Sequence, residues 1–272
     1  MPRYPSPAAP RVAPPDLDHR SLSSELTARL VVSWRALCED ERDSVIAATL
    51  VAGDLARLGA PPSILSVATR VIEDEVRHVS VCATVLQRLG ASAAEVPAEE
   101  RRCGIGDDPS IERRTALALV AGFGVGESIS AGWLAAARRA CRQPMLHWAL
   151  TELLRDEARH GAFGIDAGRW LTRNWSDDER RTLWPGCVAE MEDFERRLGG
   201  PVAANETPAT DLEASSVGIL SAHESCAAVV RAVERWVIPS LARLGVLPLP
   251  LPVDYAASVT RAGMTTMVAP AQ

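Results

Sequence analysis

Apolar residues recur every three or four positions along most of the chain, and this spacing predicts amphipathic α-helices. Clusters of glycine and proline separate the periodic stretches and mark the turns between them. The pattern predicts six helices, over Ser24–Leu58, Ser63–Leu89, Ser110–Ala140, Pro144–Arg173, Asp177–Leu198 and Ser216–Leu244. Short turns join the first helix to the second and the third to the fourth, so each pair should form an antiparallel hairpin.

The composition divides the chain into four segments. Residues 1–20 form a Pro-rich leader that we expect to be disordered. Residues 21–175 hold the four long helices, and residues 176–246 hold two accessory helices with kinks or breaks expected at their prolines. Residues 247–272 form a Pro-rich, irregular tail. The fold class predicted is therefore all-α, with one bundle and a C-terminal extension.

Charge and hydropathy exclude several classes of function. The net charge is −6 and both signs are mixed along the chain, so no basic surface for nucleic acid is expected. The longest apolar stretch, Thr115–Val125, is too short to cross a bilayer, and no signal peptide is visible. The six cysteines are scattered singly, which favours a reduced, cytoplasmic protein.

Two nearly identical segments, Asp74–His78 and Asp156–His160, carry the candidate chemistry. Each has the form DE-x-RH and lies in the middle of the second helix of a hairpin. A glutamate and a histidine three residues apart share one face of a helix. In both helices that face is otherwise apolar, and a buried carboxylate costs several kcal/mol unless it is paired or bound to metal. The pattern therefore predicts metal ligation.

The first helix of each hairpin offers one matching carboxylate. Glu127 is the only acidic residue between Thr115 and Ala137, and it should lie level with Glu157, 30 residues later. Glu41 interrupts the apolar stripe of the first helix and precedes Glu75 by 34 residues. The longer spacing keeps the face but shifts the level by about 6 Å, which a longer first helix or a π-bulge would absorb.

These residues form a donor set of four carboxylates and two imidazoles, which suits iron or manganese better than zinc. The predicted metal ligands are Glu41, Glu75, His78, Glu127, Glu157 and His160. The sequence resembles the ferritin-like di-iron carboxylate superfamily over residues 24–173, and the DE-x-RH form resembles its oxygen-activating members. By this resemblance, Asp74 and Asp156 would hydrogen-bond the ligand histidines, and Arg77 and Arg159 would pair with acids near the site.

The resemblance implies a ferritin-like four-helix bundle holding two iron ions, with a manganese–iron pair as the alternative, and O₂ as co-substrate. It implies an oxidoreductase that hydroxylates, N-oxygenates or desaturates a small organic substrate. Electrons would come from an external reductase or ferredoxin, and a homodimer is left open. Two other functions stay open: a rubrerythrin- or ferritin-type peroxidase or ferroxidase, and a non-catalytic helical binding module.

Overall fold

The computed structural model describes residues 10–18, 22–92, 110–194, 196–197 and 212–247, and every regular element in these ranges is helical. The helices are α1 (Ser24–Arg57), α2 (Pro62–Arg88), α3 (Ile111–Ala140), α4 (Pro144–Leu171), α5 (Asp177–Arg181), α6 (Trp184–Phe194), α7 (Leu212–Ser216) and α8 (222–244). The all-α prediction is confirmed. The tail after residue 247, the polar crossover 93–109 and the linker 201–211 lie outside the described residues.

Local sequence signals set the ends of the four long helices. The Ser23 hydroxyl accepts a hydrogen bond from the Leu26 amide and caps the start of α1. Pro62 opens α2 at a position where its missing N–H is not needed. The turn between these helices contains Gly59 at a φ of +73°, a conformation that other residues rarely adopt. All eight ends of the four long helices fall within two residues of the predicted ones.

The first of the two predicted accessory helices is broken. It ends at Arg181 and resumes at Trp184, because the ring of Pro185 clashes with the carbonyl four residues earlier in a continuous helix. The second begins at residue 222, six residues later than predicted, after a turn in which Gly218 has a φ of +86°; the short helix α7 precedes this turn. Helix α8 passes through the π-helical turn Val233–Val237 immediately before Pro239.

Helix α3 contains a long π-helical segment, Ala118–Glu127, which ends at one of the predicted ligands. Helix α1 is a regular α-helix along its whole length. The bulge considered for α1 is therefore absent, and α1 instead extends further from its turn than α3 does. The π-helical turns of α3 are wider than α-helical turns, and such turns occur frequently at functional sites.

The four long helices pack as two hairpins, α1 with α2 and α3 with α4, and α2 also packs on α4. Two apolar clusters fill the bundle. The first includes Leu55, Val71 and Leu119, and the second includes Leu30, Val85 and Leu146. Along α1, α2 and α4 the predicted ligands lie between these clusters, so they form a polar layer across the middle of the core.

The accessory helices cover one side of α3. Helix α6 packs on its π-helical segment, and α8 packs on its C-terminal half. Helix α3 is long and apolar enough to cross a membrane by length and composition, but 61% of its most apolar window is buried inside the protein. Its hydropathy is therefore that of a core helix.

Residues 10–18 of the leader are held against the bundle. The carbonyl of Val12 accepts a hydrogen bond from the Trp148 indole, and Leu17 is only 8% exposed within the second apolar cluster. The expected disorder therefore does not hold for these residues, because a polar contact and an apolar contact both anchor them. The rest of the leader, residues 1–9 and 19–20, lies outside the described residues.

Candidate metal centre

The structure brings all six predicted ligands together in the polar layer. Two groups of side chains have donor atoms within 4.8 Å of one another. The first group is Glu41, Glu75 and His78, and the second is Glu75, Glu127 and His160. Glu75 belongs to both groups, and the rings of His78 and His160 are 5.7 Å apart. Two adjacent groups that could each hold a metal ion therefore share one carboxylate.

Glu41 enters the site opposite His78. Glu41 lies 16 residues before the end of α1, and His78 lies 16 residues after the start of α2. The two side chains are therefore level, and Glu41 Oε2 lies 3.1 Å from His78 Nδ1. The one-turn offset found in the sequence thus places Glu41 beside the histidine of the first motif, one turn beyond its glutamate.

Glu127 enters the other end of the site, where it lies level with Glu157. Burial and the neighbouring carboxyl group of Glu157 raise the pKa of Glu127. Helices α3 and α4 approach each other closely at Gly124 and Gly164. A Cβ on Gly164 would lie 2.3 Å from the backbone nitrogen of Gly124. Only glycine allows this contact. The close packing on α4 explains Gly124, whereas a Cβ on Gly126 would meet Glu190 of α6 and one on Gly122 would meet no atom within 4 Å.

Glu157 spans the two histidines in the same way as Glu75 does. Its two carboxylate oxygens lie 3.5 Å from His78 Nδ1 and 3.7 Å from His160 Nδ1. Glu75 lies 3.3 Å from His78 Nδ1 and 2.9 Å from His160 Nδ1. The sequence predicted one glutamate–histidine pair per motif. In the structure, each glutamate also faces the histidine of the other motif.

The two aspartates of the motifs lie behind the histidines, as the resemblance implied, but each faces the histidine of the opposite motif. Asp74 Oδ2 lies 3.4 Å from His160 Nε2, and Asp156 Oδ2 lies 3.5 Å from His78 Nε2. Both histidines therefore turn Nε2 toward an aspartate and leave Nδ1 facing the glutamates. This orientation selects Nδ1 as the atom that would bind metal.

The two arginines of the motifs connect the aspartates. Arg77 Nη2 donates to Asp74 and, at 2.7 Å, to Asp156. Arg159 Nη2 donates to Asp74 and, at 2.6 Å, to Asp156. Hydrogen bonds from His160 and the arginines lower the pKa of Asp74 to about 2, although burial opposes the shift. The pKa of Asp156 is also lowered, so both aspartates are ionised beside the Nε2 atoms of the histidines.

Burial and mutual repulsion divide the glutamates into two kinds. Burial raises the pKa of Glu41 to about 8, against the opposing charge of His78. Burial and the neighbouring Glu157 raise the pKa of Glu127 well above its usual range. Burial also acts on Glu75, but His160 and His78 outweigh it and hold the pKa of Glu75 below its usual range.

The carboxylates have the opposite effect on the histidines. Burial disfavours the charged imidazoles, but Glu41 and Glu75 outweigh it and hold the pKa of His78 and His160 well above the usual value. In the metal-free protein, protons therefore occupy the histidine nitrogens that face the glutamates. Metal binding at Nδ1 would have to displace them.

The donor atoms fit a pair of divalent ions. Four buried atoms at the site have no hydrogen bond of acceptable geometry within the described residues: Glu75 Oε1, His78 Nε2, Glu157 Oε2 and His160 Nδ1. Buried polar atoms are rarely left this way in a folded protein. Three of the four face the space between the ligands, and carboxylate oxygens with one imidazole per ion suit iron or manganese.

The sequence did not reveal two side chains that contact this network. Arg11 comes from the Pro-rich leader and pairs with Asp156, and Glu152 is buried one turn before Asp156 on α4. Arg11 lies in an irregular segment, so no periodic signal marks it. Comparison with models of protein families, with curated proteins and with solved structures gives no match to this chain.

Proposed function

We propose that the chain is a ferritin-like di-metal oxidoreductase, in which the six ligands hold two iron ions that activate O₂ to oxidise a small organic substrate. The carrying observation is that Glu75 belongs to two adjacent groups of buried donor atoms. A glutamate from each of two helices with a Glu-x-x-His pair from each of two others is the ligand arrangement of di-iron bundles.

The free-energy cost of burying these ionisable side chains supports a metal-binding role. Five of the six ligands are buried, and Glu127 is partly exposed. Replacing buried ionic groups with apolar side chains is often neutral or stabilising, so such groups need another reason to be present. Bound divalent ions would supply that reason, because they neutralise carboxylates that otherwise repel one another.

Each group has a defined part in this proposal. Glu41 with His78 would hold one ion, and Glu127 with His160 would hold the other, while Glu75 and Glu157 lie between them. Asp74 accepts a hydrogen bond from His160 Nε2 and Asp156 faces His78 Nε2, which would keep Nδ1 of each histidine directed at the ions. Bound iron would supply the reduction of O₂, and its electrons would come from an external reductase or ferredoxin.

A cavity beside the site suits a small organic substrate. Its volume is about 330 Å³, and it lies between α3, α4 and α8. Ser128 and Gly161, which directly follow two ligands in the sequence, form part of its wall, and Trp236 and Arg243 lie on the opposite side. Pockets of this volume hold small molecules in other proteins.

Metal analysis of matched variants tests the proposal. The wild-type chain, purified from iron-replete cells, should carry about two iron ions. Glu75→Gln removes the carboxylate shared by both groups and should abolish binding of both ions. Glu73→Gln makes the same change at an exposed position of α2 and should bind metal normally.

Three results would count against the proposal. A wild-type chain that binds well under two metal ions would favour a non-catalytic helical module. Equal metal content in Glu75→Gln and Glu73→Gln would show that the ligand set is wrong. If the metal-loaded protein consumes hydrogen peroxide or oxidises ferrous iron but consumes no O₂ with organic substrates and a reductant, the peroxidase or ferroxidase function is favoured instead.

A further inference from the structure

Residues 10–18, which we call the N-terminal strap, follow one face of α4. The Val12 carbonyl accepts a hydrogen bond of 3.1 Å from Trp148 Nε1, and the Arg11 amide donates one of 3.1 Å to Glu152 Oε2. The Arg11 guanidinium then reaches Asp156. Trp148, Glu152 and Asp156 are each four residues apart, so they share a helical face. The strap is therefore fixed over two successive turns of α4.

Arg11 binds Asp156 through two parallel hydrogen bonds. Its Nη1 donates to Asp156 Oδ2 and its Nη2 to Asp156 Oδ1, both at 3.0 Å, and Nη2 lies 3.5 Å from Asp74 Oδ1. Paired charge-assisted bonds of this kind fix the plane of a carboxylate as well as its position. The Asp156 side chain is fully buried, whereas that of Arg11 is 35% exposed. The Arg11 side chain therefore lies between Asp156 and solvent.

The oxygen that Arg11 fixes also faces the metal centre. Asp156 Oδ2 accepts from Arg11 Nη1 and lies 3.5 Å from Nε2 of His78. The two motif arginines balance the charge of the two motif aspartates, and Arg11 adds a third guanidinium. Without Arg11, Asp156 would keep a hydrogen bond from Arg77 to Oδ2 and one from Arg159 to Oδ1, but it would lose the single guanidinium that holds both oxygens in one plane. The expected effect is therefore on orientation and not on folding.

We propose that Arg11 is a positioning residue of the metal centre, which acts by holding Asp156 so that His78 presents Nδ1 to the glutamates. The inference rests on the proposed metal centre. It makes the N-terminal strap part of the site although the strap carries no ligand. The inference also couples the strap to the metal centre. Bound metal should hold the strap more tightly, to the same extent as the strap strengthens metal binding.

Metal affinity of full-length variants tests the coupling. Iron(II) or cobalt(II) affinity is measured by competition with a chelator for the wild type, Arg11→Gln, Arg11→Lys and Asp16→Asn. Arg11→Gln should weaken affinity about tenfold, the usual effect of removing a group that orients a ligand. Arg11→Lys should lie between, because an ammonium supplies the charge without the paired geometry. Asp16→Asn alters an exposed strap residue paired with Arg88 and should change nothing.

A second variant tests the effect of the strap separately from that of the Arg11 side chain. Trp148→Phe keeps an aromatic ring in the second apolar cluster but removes the hydrogen bond to Val12. It should weaken metal binding several-fold with Arg11 still present, because the strap is released at its anchor. If circular dichroism shows that Arg11→Gln has lost helical content, Trp148→Phe still tests the proposal.

The outcomes distinguish this inference from the proposed centre. Two bound ions with equal affinity in the wild type, Arg11→Gln and Trp148→Phe would overturn the positioning role alone. A wild type that binds no metal would overturn the metal centre. In that case the ¹⁵N resonances of the His78 ring are compared between the metal-free wild type and Arg11→Gln, with exposed His223 as the reference. A change at His78 but not at His223 supports the positioning role. No change at His78 overturns it.

Discussion

Glu75 Oε1 lies 2.9 Å from His160 Nδ1, so the glutamate of one DE-x-RH motif contacts the histidine of the other. The same exchange occurs behind the histidines, where Asp74 faces His160 and Asp156 faces His78. The repeated motif therefore does not form two separate glutamate–histidine sites. It forms one joined site in which both hairpins must be present and packed together.

Glu41→Gln should leave one of the two ion sites intact, because Glu41 contacts only the His78 end of the layer. We expect metal content to fall from about two ions to about one. The metal-free variant should also be more stable than the wild type at pH 7, by roughly 1–3 kcal/mol. The pKa of Glu41 is raised to about 8, so wild-type folding takes up a proton at neutral pH that glutamine does not require.

Metal analysis and urea unfolding of the metal-free protein check both parts of this prediction, with Glu73→Gln as the surface control. The sign follows from the raised pKa: the wild type loses stability as the pH rises from 4.5 toward 8, so the gain should shrink as the pH is lowered. Loss of both ions would mean that Glu41 supports the shared site.

The residues of the polar layer could be predicted from the sequence because each is a polar residue on an otherwise apolar helical face. The level of Glu41 could also be predicted, since it follows from counting residues to the turn. Arg11 could not, because its role depends on where an irregular Pro-rich segment folds back. The π-helical segment before Glu127 could not either, since its sequence has no polar face to show the change of period.

Gly164→Ala should destabilise the protein by roughly 3 kcal/mol. The added Cβ would lie 2.3 Å from Gly124 N and 2.4 Å from Leu119 O, and backbone atoms cannot move aside as side chains do. Relief requires α3 and α4 to separate, which would also move Glu127 away from Glu157. Thermal unfolding and metal content should therefore change together.

Gly53→Ala is the matched control for this substitution. Gly53 lies within α1, and a Cβ there would meet no atom within 4 Å. Alanine should be neutral or stabilise the helix by about 0.5–1 kcal/mol. Equal thermal midpoints for the two variants would show that α3 and α4 are not in backbone contact.

Asp54 links α1 to α3 through a buried ion pair, and Asp54→Ala should cost roughly 2 kcal/mol. Arg114 donates to both carboxylate oxygens, at 3.1 and 3.2 Å. The side chain of Asp54 is 9% exposed and that of Arg114 is 28% exposed, so solvent screens the pair only in part. A double-mutant cycle of the two residues should give a coupling of about 1 kcal/mol or more.

The exposed pair Asp166–Arg169 is the control for that cycle. Its atoms are also 3.2 Å apart, but both side chains are more than half exposed. Its coupling should be below about 0.5 kcal/mol. A coupling for Asp54 and Arg114 as small as that of the surface pair would contradict the prediction.

Glu190→Gln should stabilise the protein only at neutral and higher pH. Glu190 lies on α6, where its Oε1 approaches Gly126 of α3 so closely that a Cβ on that glycine would lie 3.1 Å away. Burial raises the pKa of Glu190 to about 7; Asp193 and Asp40 add to this, and Arg197 opposes it. The carboxyl group is therefore protonated in the folded protein at a pH where the unfolded chain is ionised.

The sign of the pH dependence follows from this difference. Between pH 4.5, the ordinary pKa, and about 7, the folded chain binds more protons than the unfolded chain, so stability falls as the pH rises. Glutamine stays neutral, so the free energy of unfolding should increase by roughly 1–2 kcal/mol above pH 7 and remain unchanged near pH 4.5. Urea unfolding at pH 4.5, 6 and 8 measures this, with exposed Glu192→Gln on the same helix as the control. A gain of equal size at all three values would mean that packing, and not ionisation, causes the effect.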